Sequence, residues 1–222
     1  MNNTLELTSY DNIIGMKKKV LKENILRGYT KIEYIQKRVI DYIMVIFLTL
    51  FLSPVMLYSI YRIKKESSGP IFFKQLRVGL NGKKFNCYKF RSMHIDSHFD
   101  PYTQDNDSRI FPYGFIMRKM RIDELPQILN VIKGDMHMIG PRAEWDILVK
   151  EYTEGIPNYQ NRHLVRPGIT GLAQVLYPYG RNIADARKKL KYDLLYIGKW
   201  SFWIELKVII KTVTVILGRK GI

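Results

Sequence analysis

Arg118-Lys119-Met120-Arg121-Ile122-Asp123-Glu124-Leu125-Pro126-Gln127-Ile128-Leu129-Asn130-Val131-Ile132-Lys133-Gly134-Asp135 is the stretch from which the rest of the chain is read. After its acidic pair, Leu125, Ile128, Leu129 and Ile132 recur at i, i+3, i+4 and i+7, which predicts an amphipathic helix ended by Gly134. Asp123 and Glu124 then stand at the helix start, where Pro126 fits because its missing N–H costs nothing in a first turn. Two readings compete. Either the carboxylates simply cap the helix, or, with Arg118 and Arg121 just upstream, they form a place to hold a phosphate and a divalent cation. Neighbouring carboxylates also divide labour, one attacking while the other holds metal or handles a proton.

The totals set bounds on the whole. The chain has 222 residues, enough for one globular unit with an appendage and short for two full domains. Thirty-six Lys and Arg against 20 Asp and Glu give a net charge of +16, which calls for an anionic partner: nucleic acid, a phosphorylated substrate or an acidic membrane face. A single cysteine, Cys87, excludes an internal disulfide and a cysteine-rich zinc site and fits a reducing compartment. The polar N-terminus has no apolar core of a cleavable signal peptide.

Residues 1–36 read as a polar leader with one weak amphipathic helix. Residues 37–66 carry the one long apolar run, Val39 to Tyr61, marked by Asp41 and by Ser53-Pro54. A straight helix of that length could span a bilayer. Pro54 cannot donate to the carbonyl of Leu50, so a bend is expected there, with the Ser53 hydroxyl satisfying the freed group. Lys37 and Arg38 flank one end and Arg62, Lys64 and Lys65 the other, so the positive-inside preference gives the two ends no reason to lie on opposite faces. The expectation is a re-entrant membrane helix; an ordinary spanning anchor with a tolerated proline is the alternative.

Residues 67–222 form the remaining unit. IFFKQLRVG and KFNCYKFRSM, separated by Asn81-Gly82, predict a β-hairpin whose basic face carries Arg77, Lys84, Lys89 and Arg91. Residues 94–113 read as loop. His94 and His98 have helical metal-ligand spacing but stand in a polar, Pro-interrupted loop, and the Asp105 cluster has Ile110 and Ile116 where a calcium loop needs glycine and glutamate, so both are set aside as metal sites. Turns at Met138-Ile139-Gly140-Pro141-Arg142 and Arg166-Pro167-Gly168-Ile169-Thr170-Gly171 each place an arginine beside glycines that would let backbone N–H groups approach an anion. Residues 182–197 and 201–217 read as helices, the second with Trp200, Phe202 and Trp203 at its start, which suits a headgroup-level position.

Four co-linear segments now agree: the basic-flanked helix with Ser53-Pro54, YKFRSM at 88–93, Asp123-Glu124 through KGDMHMIGPR, and RPGITGLAQV followed by YDLLYI. Together, over about residues 37–220, they resemble the bacterial sugar transferases known as monotopic phosphoglycosyl transferases, most closely members that start exopolysaccharide or O-antigen units with a hexose phosphate. The resemblance implies a mixed, helix-rich α/β fold: a small catalytic domain on the cytosolic face of the inner membrane, with a re-entrant membrane helix and interfacial amphipathic helices. It implies transfer of a sugar 1-phosphate from a UDP-sugar to undecaprenyl phosphate, releasing UMP, with Mg2+ required. Carried over residue by residue, Asp123 is the nucleophile and Glu124 its partner at the metal. Arg118 lies close to phosphate, and Lys89, Arg91, Arg142 and Arg166 fall on basic positions assigned to phosphate or nucleotide. Asp193 matches an acidic residue of undefined role. Anionic membrane lipids are expected partners, nucleic acid is not, and a homodimer is left open.

The sequence departs from the family pattern where Ala143 replaces a usual proline, Leu172 a usual tryptophan and His137 a usual serine. Two rivals remain: the same chemistry with an N-acetylated amino sugar, and a non-catalytic, membrane-tethered basic binding protein in which Asp123-Glu124 merely cap.

Overall fold

The computed structural model describes residues 18–95, 107–177 and 182–218. Helix α1 (Lys18–Arg27) precedes α2 (Lys31–Glu66), a helix of 36 residues. Strands β1 (Phe72–Val78) and β2 (Lys84–Phe90) follow, then α3 (Pro112–Lys119), a 3-10 turn (Ile122–Gln127) and α4 (Ile128–Lys133). Next come β3 (His137–Ile139), α5 (Asp146–Gly155), a second 3-10 turn (Tyr159–Leu164), β4 (Gly168–Thr170) and α6 (Leu172–Leu176). Helices α7 (Ile183–Gly198) and α8 (Phe202–Leu217) complete the described chain, matching the helices expected at 182–197 and 201–217.

The mixed, helix-rich α/β expectation holds, with two small sheets. β1 and β2 pair antiparallel as the predicted hairpin, and Asn81 (φ 53°) and Gly82 (φ 75°) supply its left-handed turn. β3 and β4 pair in parallel. Here Gly168 and Gly171 serve a purpose other than anion approach: a Cβ on either would lie 2.0 Å from the backbone of Gly140. They let two backbones touch.

Helix α2 begins at Lys31, where Thr30 and Glu33 form a reciprocal capping box. Helical geometry continues through Pro54, so the two arms expected on either side of a kink belong to one helix. The Ser53 hydroxyl donates to the Leu50 carbonyl at 3.2 Å, relieving the group that Pro54 leaves without a donor. Lys37, Asp41 and Val45 toward one end and Ser59 and Ile63 toward the other are buried, while Ile43, Ile46, Phe47, Leu50 and Phe51 between them are exposed. By length and hydropathy this is the one helix among the described residues that could cross a membrane.

Lys37 corrects its reading as a flanking surface cation. Its ammonium is fully buried and donates to Glu205 at 2.9 Å, Tyr196 Oη at 2.7 Å and the Ile139 carbonyl at 2.9 Å, binding α2 to α7, α8 and β3. Asp41 likewise accepts from His137 Nδ1 at 2.6 Å and from the Met138 N–H at 2.7 Å. Around this polar seam lies the main core, with Val45, Cys87, Val131, Met136, Ile139, Tyr196 and Val208. A smaller core (Ile63, Phe90, Phe111, Tyr113, Met117) packs the C-terminal end of α2 against β2 and α3.

Candidate active site

Asp123 and Glu124 sit in the 3-10 turn, not in the first turn of an α-helix as the periodicity predicts. Arg121, in the left-handed region (φ 58°, ψ 19°), redirects the chain out of α3, and its carbonyl accepts the Glu124 N–H at 3.2 Å. Neither carboxylate caps this turn by a hydrogen bond, although both lie in its first turn. α4 starts only at Ile128 and ends at Gly134 (φ 84°), as expected. Its apolar face differs from the predicted stripe: Ile128 and Val131 are buried, whereas Leu129 and Ile132 are exposed.

Both carboxylates are buried, but their surroundings differ. Glu124 Oε1 receives Lys89 Nζ at 3.0 Å and Arg142 at 2.9 Å, with Arg121 3.7 Å away. Burial by itself would raise the Glu124 pKa; Arg142, Lys89 and Arg121 override it and hold the group well below the usual carboxylate range. Among the described residues the Asp123 carboxylate accepts no hydrogen bond and joins no ion pair. Burial raises its pKa; Lys89 pulls it down, Glu124 pushes it up again, and Arg118 and Arg121 oppose the rise without cancelling it. Glu124 is therefore an anchored anion, and Asp123 a carboxylate with cations nearby but no direct partner.

Of the expected binding residues, Lys89 and Arg142 converge on the pair. Arg118 is close enough that, after the dominant effect of burial, Asp123 is the strongest influence on its guanidinium. Arg91 is not brought there. It is buried, donating to the Pro70 carbonyl at 2.7 Å, the Ser67 carbonyl at 2.8 Å and the Ser67 hydroxyl, and so ties β2 to the end of α2. Arg166 is also elsewhere, its Nε donating to the Gly134 carbonyl at 2.6 Å and its guanidinium 4.9 Å from the Tyr34 ring centre.

The sequence reading missed how Arg142 is held. Asp193, on α7, forms a buried pair with Arg162 (2.8 Å), and Arg162 donates to the Arg142 carbonyl at 2.8 Å. The acidic residue of the YDLLYI segment is thereby three contacts from Glu124, through Arg162 and Arg142. Arg77 reinforces the same bend by donating to the Ala143 carbonyl.

Among the described residues no three His, Cys, Asp or Glu side chains gather as a metal cage. Asp123 and Glu124 nonetheless fit a magnesium ion, which commonly takes one or two carboxylates and completes its shell with water and substrate phosphate. The set as a whole suits phosphoryl chemistry: an unpaired carboxylate, a neutralised one and fixed cations, carried on a body bearing a long apolar helix.

The family model described as bacterial sugar transferase matches residues 32–219, and the chain belongs to that family. It is 43% identical over 183 residues to a UDP-N-acetylgalactosamine-undecaprenyl-phosphate N-acetylgalactosaminephosphotransferase of Aeromonas hydrophila, covering 82% of this chain and 43% of the relative. It is 39% identical over 191 residues to a UDP-glucose:undecaprenyl-phosphate glucose-1-phosphate transferase of Xanthomonas campestris pv. campestris, covering 84% of this chain and 40% of the relative. An uncharacterized sugar transferase, EpsL, of Bacillus subtilis is 40% identical over 188 residues, covering 85% of this chain and 90% of the relative. The chain thus spans about two fifths of the first two relatives and nearly the whole of the third.

Proposed function

We propose that this protein transfers a sugar 1-phosphate from a UDP-sugar to undecaprenyl phosphate, giving undecaprenyl diphosphate-sugar and UMP. The observation that carries the reading is the unequal carboxylate pair: Glu124 is neutralised by Lys89 and Arg142, while Asp123 beside it is left without a direct partner and so available to react. In the first step an Asp123 oxygen forms a bond to the β-phosphorus, the bond from that phosphorus to the bridging oxygen breaks, and UMP leaves with the electron pair. In the second, an oxygen of the undecaprenyl phosphate attacks the aspartyl phosphate, restoring the free carboxylate. Lys89, Arg142 and Arg118 offset the negative charge that two anionic substrates bring to one site. A magnesium ion held by Asp123 and Glu124 would polarise the donor's phosphate oxygens.

The membrane placement is part of the same proposal. Both ends of α2 are buried against one body while its middle is apolar and exposed, which supports a helix that enters and leaves on the same, cytosolic, side of the inner membrane. A re-entrant helix would hold the site at the depth of the acceptor phosphate, with anionic headgroups meeting the basic surface, and the reaction would be the first membrane step of an exopolysaccharide, capsule or O-antigen pathway.

Relatives named for N-acetylgalactosamine, glucose and galactose donors leave hexose and N-acetylated amino sugar as competing donors. Purified protein incubated with magnesium, undecaprenyl phosphate and a panel of UDP-sugars should release UMP with one donor class, and Asp123→Asn should abolish it. UMP release unaffected by Asp123→Asn would remove Asp123 as the nucleophile, and no release with any UDP-sugar would favour a binding protein.

A further inference from the structure

Asn130 lies six positions after Glu124, in α4, and its side chain is fully buried. Its Oδ1 accepts the Tyr88 N–H at 3.0 Å, and its Nδ2 donates to the Asn86 carbonyl at 2.7 Å and to Asp135 Oδ2 at 3.1 Å. Only this orientation of the amide satisfies all three partners. Tyr88 and Asn86 belong to the edge of β2 that faces away from β1, where a third strand would otherwise pair. One side-chain amide therefore replaces a neighbouring strand, with one acceptor and one donor at the spacing of a ladder. Directly after Tyr88 comes Lys89, whose ammonium stands 3.0 Å from Glu124.

We propose that Asn130 is a positioning residue for the reaction, setting the strand that carries Lys89 in register with the turn that carries Asp123 and Glu124. The inference rests on the reading of Asp123 as the nucleophile. β2 is gripped on one edge by β1 and on the other by Asn130, and α4 continues the acidic turn without a break. Remove the amide, and two backbone groups of β2 lose their partners while the strand is free to shift along the turn.

The Asn130→Ala protein, assayed for UMP release in detergent with magnesium and the active UDP-sugar, should show kcat reduced about 10- to 100-fold, the scale of an ångström-level misplacement, with the donor KM nearly unchanged. Placing Asn130→Ala in a Lys89→Met background should then cost little beyond Lys89→Met alone, because the two act through one contact. If the alanine protein does not fold, Asn130→Asp carries the test. It retains the acceptor for Tyr88, loses the donor to Asn86 and sets a second carboxylate beside Asp135, so the same kcat loss and the same non-additivity are expected. Parental kcat in a folded Asn130 variant, or losses that multiply with those of Lys89→Met, overturns the proposal. Should Asp123→Asn retain activity, the underlying reading fails instead, and the two failures are told apart.

Discussion

Lys37 and Glu205, 168 residues apart, form a fully buried ion pair with 2.9 Å between nitrogen and oxygen. Tyr196 and Trp200 also donate to Glu205. This contact fixes the apolar helix to the last helix, so the pose of the catalytic body on α2 depends on it. Removing one partner of a buried pair strands the other: Lys37→Met or Glu205→Gln alone should destabilise by about 3–5 kcal/mol, and Lys37→Met with Glu205→Leu by less than either. Thermal unfolding in detergent checks the order. A double variant as unstable as the sum of the singles would contradict it.

Arg142 and Arg91 should separate cleanly. Arg142→Ala removes a cation from Glu124 and should lower kcat/KM roughly 100-fold or more, on the scale of losing one fixed electrostatic donor. Arg91→Ala leaves the Ser67 and Pro70 carbonyls without donors and should cost about 1–3 kcal/mol of stability, with kcat/KM of the folded fraction close to parental. Loss of activity in Arg91→Ala at an unchanged melting temperature would place that guanidinium in the site after all.

His137 gives the structure a signed pH dependence. Burial lowers its pKa from 6.5 to about 4, more than the hydrogen bond to Asp41 raises it. Below pH 6.5 the unfolded chain takes up a proton that the native ring refuses, so stability falls with acidification and levels off below about 4. At ~1.4 kcal/mol per pKa unit the loss approaches roughly 3 kcal/mol. His137→Ser should flatten the decline between pH 6.5 and 4 by up to one proton's worth of slope. Melting temperatures measured across that range decide it; an unchanged slope would exclude His137 as the source.

Topology can be read with thiols. In a Cys87→Ala background, single cysteines at the exposed positions Ile32 and Lys65 should both escape an impermeant reagent applied from the periplasmic side and both react after lysis. Labelling of either in intact cells would mean a helix that crosses the bilayer.

Much of this was legible in the sequence because it is local. The hairpin turn at Asn81-Gly82, the stop at Gly134, the two C-terminal helices and the Asp-Glu pair are each set by neighbours within a few residues. What was not legible depends on distant partners. Lys37 read as a flanking cation because nothing nearby announces Glu205. Lys89 near the end of β2 and Arg91 just past it are two residues apart, yet only the shape of the whole body sends one to Glu124 and the other to Ser67. Asn130 sat in plain view in the decisive stretch, but a helical asparagine gives no sign that it pairs with a strand edge. Leu129 and Ile132 fit the apolar period and are nonetheless exposed, since periodicity counts apolar residues without saying which of them meet protein.

Incubating the protein with magnesium and the donor UDP-sugar alone, quenching, and mapping the modified peptide by mass spectrometry tests the covalent step itself. The expected result is one added sugar phosphate on Asp123, lost when undecaprenyl phosphate is supplied and absent from Asp123→Asn. An active protein that never carries the adduct, or carries it on another residue, would contradict the account.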